Sequence, residues 1–262
     1  MLIGPLGAPV WLAGLWSTTV RPRYPAYRIF PIAYFLLCVV FIASHGKVYY
    51  LSSIYPTLLG FGAVAIEQGI KNIAARRAVL ATIAIVGALL APLAVPVLPI
   101  KSYIAYASAL GIKPSATATE HLKLGVLPQP FADQFGWKEM ATKIAAVYDA
   151  LPPDDQTKAI FFGQDYGQAA AIDIFGRPLG LPAAISTHNN YYLWGPRGYD
   201  GGVMIVIGGN YQQMVGLFDS VEKVGVIDTP YAMPYETNQP IYVLRGLKEP
   251  VATLWLSLKR YI

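Results

Sequence analysis

His45-Gly46-Lys47-Val48-Tyr49-Tyr50-Leu51, followed by Tyr55-Pro56, is a polar and aromatic interruption between two long apolar runs. Ile29 to Ser44 precedes it without a charge, and Leu58 to Ile66 follows it without one until Glu67. Runs of this kind read as membrane spans. Polar groups at the end of a span are costly unless they face water or a partner. Lys47 offers a compact positive charge, His45 stands beside it, and Tyr49, Tyr50 and Tyr55 offer phenolic hydroxyls. That is suitable chemistry for holding a lipid phosphate at a membrane surface. The same residues also read as an interfacial belt, because tyrosine is enriched there and lysine snorkels to the headgroups.

The rest of the composition agrees with a membrane chain. Of 262 residues 55% are hydrophobic and only 13% charged, against about 25% charged in a soluble domain. The deficit is uneven. Residues 1–100 hold nearly all the long apolar runs, and residues 101–262 read as an ordinary globular domain large enough to bury a core. The expected division therefore falls near Lys101. A net charge of +5 does not indicate nucleic acid, since no stripe of Lys and Arg with interleaved aromatics occurs. The single cysteine, Cys38, lies inside an apolar run, so a disulfide within the chain is impossible. No zinc-ligand spacing occurs, and neither a metal nor a cofactor is expected.

In chain order, Leu2–Thr19, Ile29–Ser44, about Leu51–Ile70 and Val79–Pro99 are the four expected spans. The intervening segments at 20–28 and 71–77 each hold three Lys or Arg, whereas the segment at 45–50 holds only Lys47. Basic loops face the cytoplasm. The Lys47 segment and everything after Pro99 are then expected outside, making an integral membrane protein with an extracytoplasmic C-terminal domain. Met1 also falls outside, which points to further spans upstream.

The second half alternates strand-like and helical segments. Trp137–Ala150 has helical spacing, with Met140, Ile144, Val147 and Tyr148 at three- and four-residue intervals. Ala159–Phe162, Val203–Ile207, Lys223–Ile227 and Ile241–Leu244 read as strands. Asp165–Phe175, Tyr211–Phe218 and Leu254–Tyr261 read as helices. The pattern predicts a soluble α/β domain with a small, mostly parallel sheet covered by helices.

Three constellations carry chemistry. Gly208-Gly209-Asn210 stands between a strand and a helix like a phosphate-cradling turn. It lacks the rest of either nucleotide fingerprint, and a turn requiring positive φ explains it more simply. His188-Asn189-Asn190-Tyr191-Tyr192-Leu193-Trp194 is dense in aromatics and amides. Sugars offer apolar ring faces and hydroxyl rims, so His188, Asn189, Tyr191, Tyr192 and Trp194 are possible glycan contacts, or a loop packed by its own aromatics. Glu120-His121 and Asp133 could suggest a metal site or an acid–base pair, with nothing in the sequence to fix their geometry.

The run His45-Gly-Lys-Val-Tyr-Tyr-Leu-Ser-Ser-Ile-Tyr-Pro, continuing to Gly62-Ala-Val-Ala-Ile-Glu67, resembles the late transmembrane region of bacterial GT-C glycosyltransferases. It is most similar to the dolichyl-phosphate-mannose protein mannosyltransferase-like family (glycosyltransferase family 39 type). The second half resembles the outer domain of such proteins through Lys123-Leu-Gly, Phe131-Ala-Asp-Gln-Phe-Gly-Trp137, His188 to Pro196 and Tyr231-Ala-Met-Pro-Tyr-Glu236. The resemblance implies a polyprenyl-phosphate-linked sugar donor, with Lys47 and Tyr50 beside the lipid phosphate. It also implies a catalytic carboxylate in an early outer loop. Residues 1–78 contain Glu67 as their only acid. The chain is accordingly expected to be the C-terminal portion of such an enzyme, inactive alone and partnered by an N-terminal membrane half. The alternative is a membrane-anchored extracytoplasmic module that binds glycan or protein without catalysis.

Overall fold

The computed structural model describes residues 4–20, 25–46, 48–114 and 124–261, with the backbone alone of residues 4–6 and 48. The chain forms two compact units, Met1–Leu122 and Lys123–Ile262.

The first unit is helical: α1 (Gly4–Thr19), α2 (Ile29–Ala43), α3 (Tyr55–Gly69), α4 (Ile73–Leu90) and α5 (Ile100–Ala109). With their flanking 3₁₀ turns, Pro25–Ala43, Tyr49–Gly69 and Ile73–Leu93 are long and apolar enough to cross a membrane. Large apolar side chains such as Val39, Ile42 and Leu80 stand exposed on them, as a lipid-facing helix requires. Among the described residues there are thus three candidate spans rather than the expected four. The described part of α1 has 16 residues, just short of the roughly 17–25 that span a bilayer. The last span also begins earlier than its sequence suggests. Asn72 caps α4, its Oδ1 accepting from the amides of Ala74 at 2.8 Å and Ala75 at 3.2 Å. That cap starts the helix before Arg76 and Arg77 and places both arginines in its opening turns.

Helices α1 and α3 cross in backbone contact. A Cβ on Gly14 would lie 1.9 Å from the Leu58 carbonyl oxygen, and one on Gly62 would lie 1.8 Å from that of Val10. Small residues at such a crossing let two helices approach where lipid offers no hydrophobic drive. Leu58 is fully buried there, and Trp11 lies against the rings of Tyr34 and Tyr55, 5.8 and 5.7 Å away.

The second unit is α/β. Its elements are α6 (Gln129–Ala132), α7 (Trp137–Asp149), α8 (Pro153–Gln156), β1 (Ala159–Phe162), α9 (Tyr166–Ala171), β2 (Val203–Ile207), α10 (Tyr211–Leu217), β3 (Phe218–Ile227), β4 (Gln239–Leu247) and α11 (Val251–Ser257). The sheet order is β1-β2-β4-β3. Among the four described strands β1 and β2 pair in parallel, and β4 runs antiparallel to both β2 and β3. The expected mostly parallel sheet is therefore a mixed one. The reason is visible in the connection. Parallel strands need a crossover of a dozen or more residues, usually a helix, and residues 228–238 between β3 and β4 carry none.

Every residue of β2 is buried. Val203, Ile205 and Ile207 pack with Phe161, Val243 and the α7 residues Met140 and Ile144. Met204 and Val206 face the other way, with Ile160, Tyr242, Leu244, Met214 of α10 and Trp255 of α11. The hydrophobic runs of β1 and β2 follow from this two-sided cover.

Gly62→Leu should loosen the first unit by about 1–3 kcal/mol, the usual cost of overpacking, because the obstacle is backbone. Gly60→Leu on the same helix, with nothing within 4 Å of its added Cβ, should be near neutral. Thermal unfolding of the two variants in the same detergent checks the contrast; equal effects would refute the crossing.

Candidate functional site

The topology gathers the polar motifs of the second unit at one end of its sheet. β1 and β2 both end there, at Phe162 and Ile207, and Ile185 bridges Phe162 as a further parallel segment. Because Ile207 pairs with Ile241 and Ile227 with Gln239, the end of β3 and the start of β4 lie at the same edge. In α/β proteins ligands bind outside the carboxyl ends of parallel strands.

Four segments meet here. After β1, Asp165 caps α9, its Oδ1 accepting from the Gln168 amide at 2.9 Å. After the Ile185 bridge comes buried His188, whose Nδ1 accepts from the Tyr166 amide at 3.3 Å. Before α7, Asp133 accepts the indole N–H of Trp137 on its carbonyl at 2.6 Å. Between β3 and β4 lie Thr229 and Glu236. A cavity of about 20 Å³ is lined by Phe135, Trp137, Met140, Gln168, Thr229 and Glu236, among others. Its size suits one hydroxyl- or water-sized group.

Two groups in its wall are unsatisfied. Thr229 is buried and its Oγ1 has no hydrogen bond; nor has Glu236 Oε2. Burial, followed by the charges of Asp133 and Asp165, pushes the Glu236 carboxyl up from 4.5 to about 7. Such an acid can hold or release a proton near neutrality, as general acid–base chemistry requires. Burial, then the nearby charge of Arg260, lowers the His188 pKa against an opposing pull from Asp165. The neutral ring carries its proton on Nε2, which is buried without an acceptor. Tyr166, Tyr211 and Tyr235 stand exposed around this end.

The glycine turn belongs to the same edge. Gly208 and Gly209 have φ of 66° and 87°, and an added Cβ would approach Gln239 and Gln164 to 2.8 Å. Asn210 caps α10 through the Gln213 amide at 3.2 Å. The turn thus needs its glycines for shape.

The aromatic loop is mostly absorbed by packing. Buried Tyr191 donates to Asp173 Oδ2 at 3.1 Å, and burial together with Asp173 pushes its pKa up to about 12. Tyr192 stacks on Trp255 at 5.9 Å. The Asn189 amide donates to the Arg260 carbonyl at 2.8 Å. Of these residues Trp194 is exposed, and His188 is the one that reaches the carboxylate cluster. Glu236 was visible in the sequence only as the end of a motif. Thr229 and Gln168 carried no signal, since their roles arise from the return of β3 and β4.

In the first unit, Lys47 lies outside the described residues, as do Glu120, His121, Arg21 and Arg23. His45 is exposed with φ 52°. Tyr49 and Tyr50 occupy a 3₁₀ turn, Val48–Ile54, and meet edge to face at 4.9 Å. Tyr55 opens α3 against Trp11. An apolar groove of about 700 Å³, lined by residues including Leu12, Trp16, Phe35 and Ile66, runs along α1, α2 and α3. Among the described residues no group of three or more His, Cys, Asp or Glu is placed to hold a metal ion. No protein-family model, curated protein or solved structure matches the chain.

Glu236 gives a pH signature. Its folded pKa lies above its unfolded one, so between about pH 4.5 and 7 the folded state holds the extra proton and rising pH favours unfolding. Wild-type stability minus that of Glu236→Gln should fall across this window and level off above it. A difference that is flat with pH would show that the carboxyl is not held in this environment.

Proposed function

We propose that the chain acts in sugar transfer at a membrane. Its helices receive a polyprenyl-phosphate-linked sugar, and its α/β unit, on the extracytoplasmic side, recognises a saccharide at the carboxyl end of its sheet. The observation that carries this reading is the site around Glu236. A carboxyl poised near neutrality and a buried threonine hydroxyl line a hydroxyl-sized cavity, with exposed tyrosine faces around that end of the sheet. Hydroxyls and apolar ring faces are what a sugar presents to such groups. The membrane half of the proposal rests on the three apolar helices, the groove along α1 to α3, and the Lys47, Tyr49 and Tyr50 segment at the end of a span. The cationic residues Lys71, Arg76 and Arg77 between α3 and the body of α4 support a cytoplasmic position for that connection. The resemblance to GT-C glycosyltransferases supplies the donor class.

One observation favours the second reading, a membrane-anchored glycan-binding module without catalysis. Glu67 is the only acid before Glu120, and it lies 3.4 Å from Arg76. The described membrane helices therefore offer no uncommitted carboxylate as a base.

The full chain in proteoliposomes separates these readings. With a polyprenyl-phosphate-linked sugar as probe, Lys47→Gln should weaken binding roughly tenfold or more, the loss of one charge-assisted contact worth about 1.5–3 kcal/mol. Tyr50→Phe should cost less, since it removes a neutral donor. Glu236→Gln should leave lipid-phosphate binding intact while lowering affinity for soluble oligosaccharides. Binding of soluble oligosaccharide without binding of the lipid-linked sugar would select the module; unchanged lipid binding by Lys47→Gln would make the loop an interfacial belt.

A further inference from the structure

The second unit carries an exposed apolar surface that the sheet-end site does not use. Leu193 and Trp194 are 68% and 55% exposed, and Leu256 and Tyr261 are 72% and 50% exposed. The two segments are fastened to each other. Tyr192 stacks on Trp255, whose indole donates to the Tyr192 carbonyl at 3.3 Å. Arg260 bridges to the His188 segment. Cations stand among these rings. Arg197 lies 5.1 Å over Trp194, and the Lys259 ammonium lies 5.4 Å from the Tyr192 ring and 5.1 Å from that of Tyr261. Arg197 is paired with Asp173 at 3.0 Å, so the net positive charge of this surface is that of Lys259.

We propose that this surface is a bilayer-contact face, seating Leu193, Trp194, Leu256 and Tyr261 among the headgroups of an anionic leaflet. Three arguments select lipid over a protein partner. Tryptophan and tyrosine with Lys and Arg beside them are the composition of membrane interfaces. Lysine is depleted in protein–protein interfaces. The same chain carries three helices able to span a membrane, so a bilayer is always within tethering distance of this unit. Each Lys or Arg near an anionic surface adds attraction that fades within a Debye length. The inference does not depend on the sugar reading, because it concerns a different surface.

The test places a nitroxide at single cysteines in the full chain, with Cys38→Ala removing the only native thiol. Leu193→Cys and Leu256→Cys report on the face. Val224→Cys, exposed on β3, reports on a surface outside it. The vesicles are phosphatidylcholine with anionic phosphatidylglycerol, or phosphatidylcholine alone. On the anionic vesicles the accessibility ratio of oxygen to a water-soluble nickel chelate should be severalfold higher at 193 and 256 than at 224. Lys259→Glu should lower the ratio at 193 on anionic vesicles and leave it unchanged on neutral ones. Equal ratios at all three positions would overturn the proposal. So would labels at 193 and 256 that are immobilised yet closed to both reagents, the signature of a protein contact.

Discussion

The second unit depends on the burial of one short strand on both faces. β2 has five residues and none is exposed, so every neighbour must cover it from one side or the other. Its odd positions take α7 and α9, its even positions α10 and α11. Pairing it in parallel with β1 and antiparallel with β4 then fixes which loops share an edge. The ends of β1 and β2 arrive with the 228–238 connection because Ile207 faces Ile241 and Ile227 faces Gln239. A one-residue slip would swap the side chains that face the two core layers, setting each against the wrong helices. The placing of Asp165, Glu236 and Thr229 is thus a consequence of hydrophobic register before it is a matter of polar chemistry.

Glycine serves two different constraints in the two units. At Gly14 and Gly62 the requirement is proximity: another helix's carbonyl occupies the space of the missing Cβ. At Gly208 and Gly209 the requirement is mainly conformational, a left-handed turn that releases the chain from a buried strand into α10. The first kind exists because lipid gives helices no hydrophobic reason to associate. The second exists because a strand buried on both faces must end abruptly to reach a surface helix.

Much of this was legible in the sequence. The uncharged runs marked α2, α3 and α4, and the β-branched run Val203–Ile207 marked the central strand to the residue. The α7 periodicity was equally plain, since Met140 and Ile144 are buried where the spacing put them. Strand direction was not legible: periodicity is the same for either orientation, and only the lack of a helix across 228–238 forbids a parallel return. The Asn72 cap was masked by the arginines after it, which read as a loop by charge although they open a helix. In the candidate site, Asp133 and Glu236 stood in separate motifs over a hundred residues apart, and no local pattern relates them. Tyr191 and Tyr192 misled for the opposite reason. Their composition suits a ligand, but Asp173 and Trp255 already engage them.

What sets Glu236 apart is the treatment of other acids in the same unit. Asp173 accepts from the Ala184 amide, Tyr191 and Arg197. Asp155 is held by Arg245 at 2.9 Å, and Asp165 is spent on a helix cap. In each case folding supplies a donor to the carboxylate. Glu236 instead keeps one oxygen without a hydrogen bond, and its neighbours Asp133 and Asp165 repel its charge. A structural carboxylate gains from being ionised and paired; this one is pushed toward its neutral form by its surroundings. That arrangement costs stability above neutral pH. It becomes intelligible if a ligand hydroxyl completes the bonding, because the same desolvation that raises the pKa strengthens a hydrogen bond made inside the cavity.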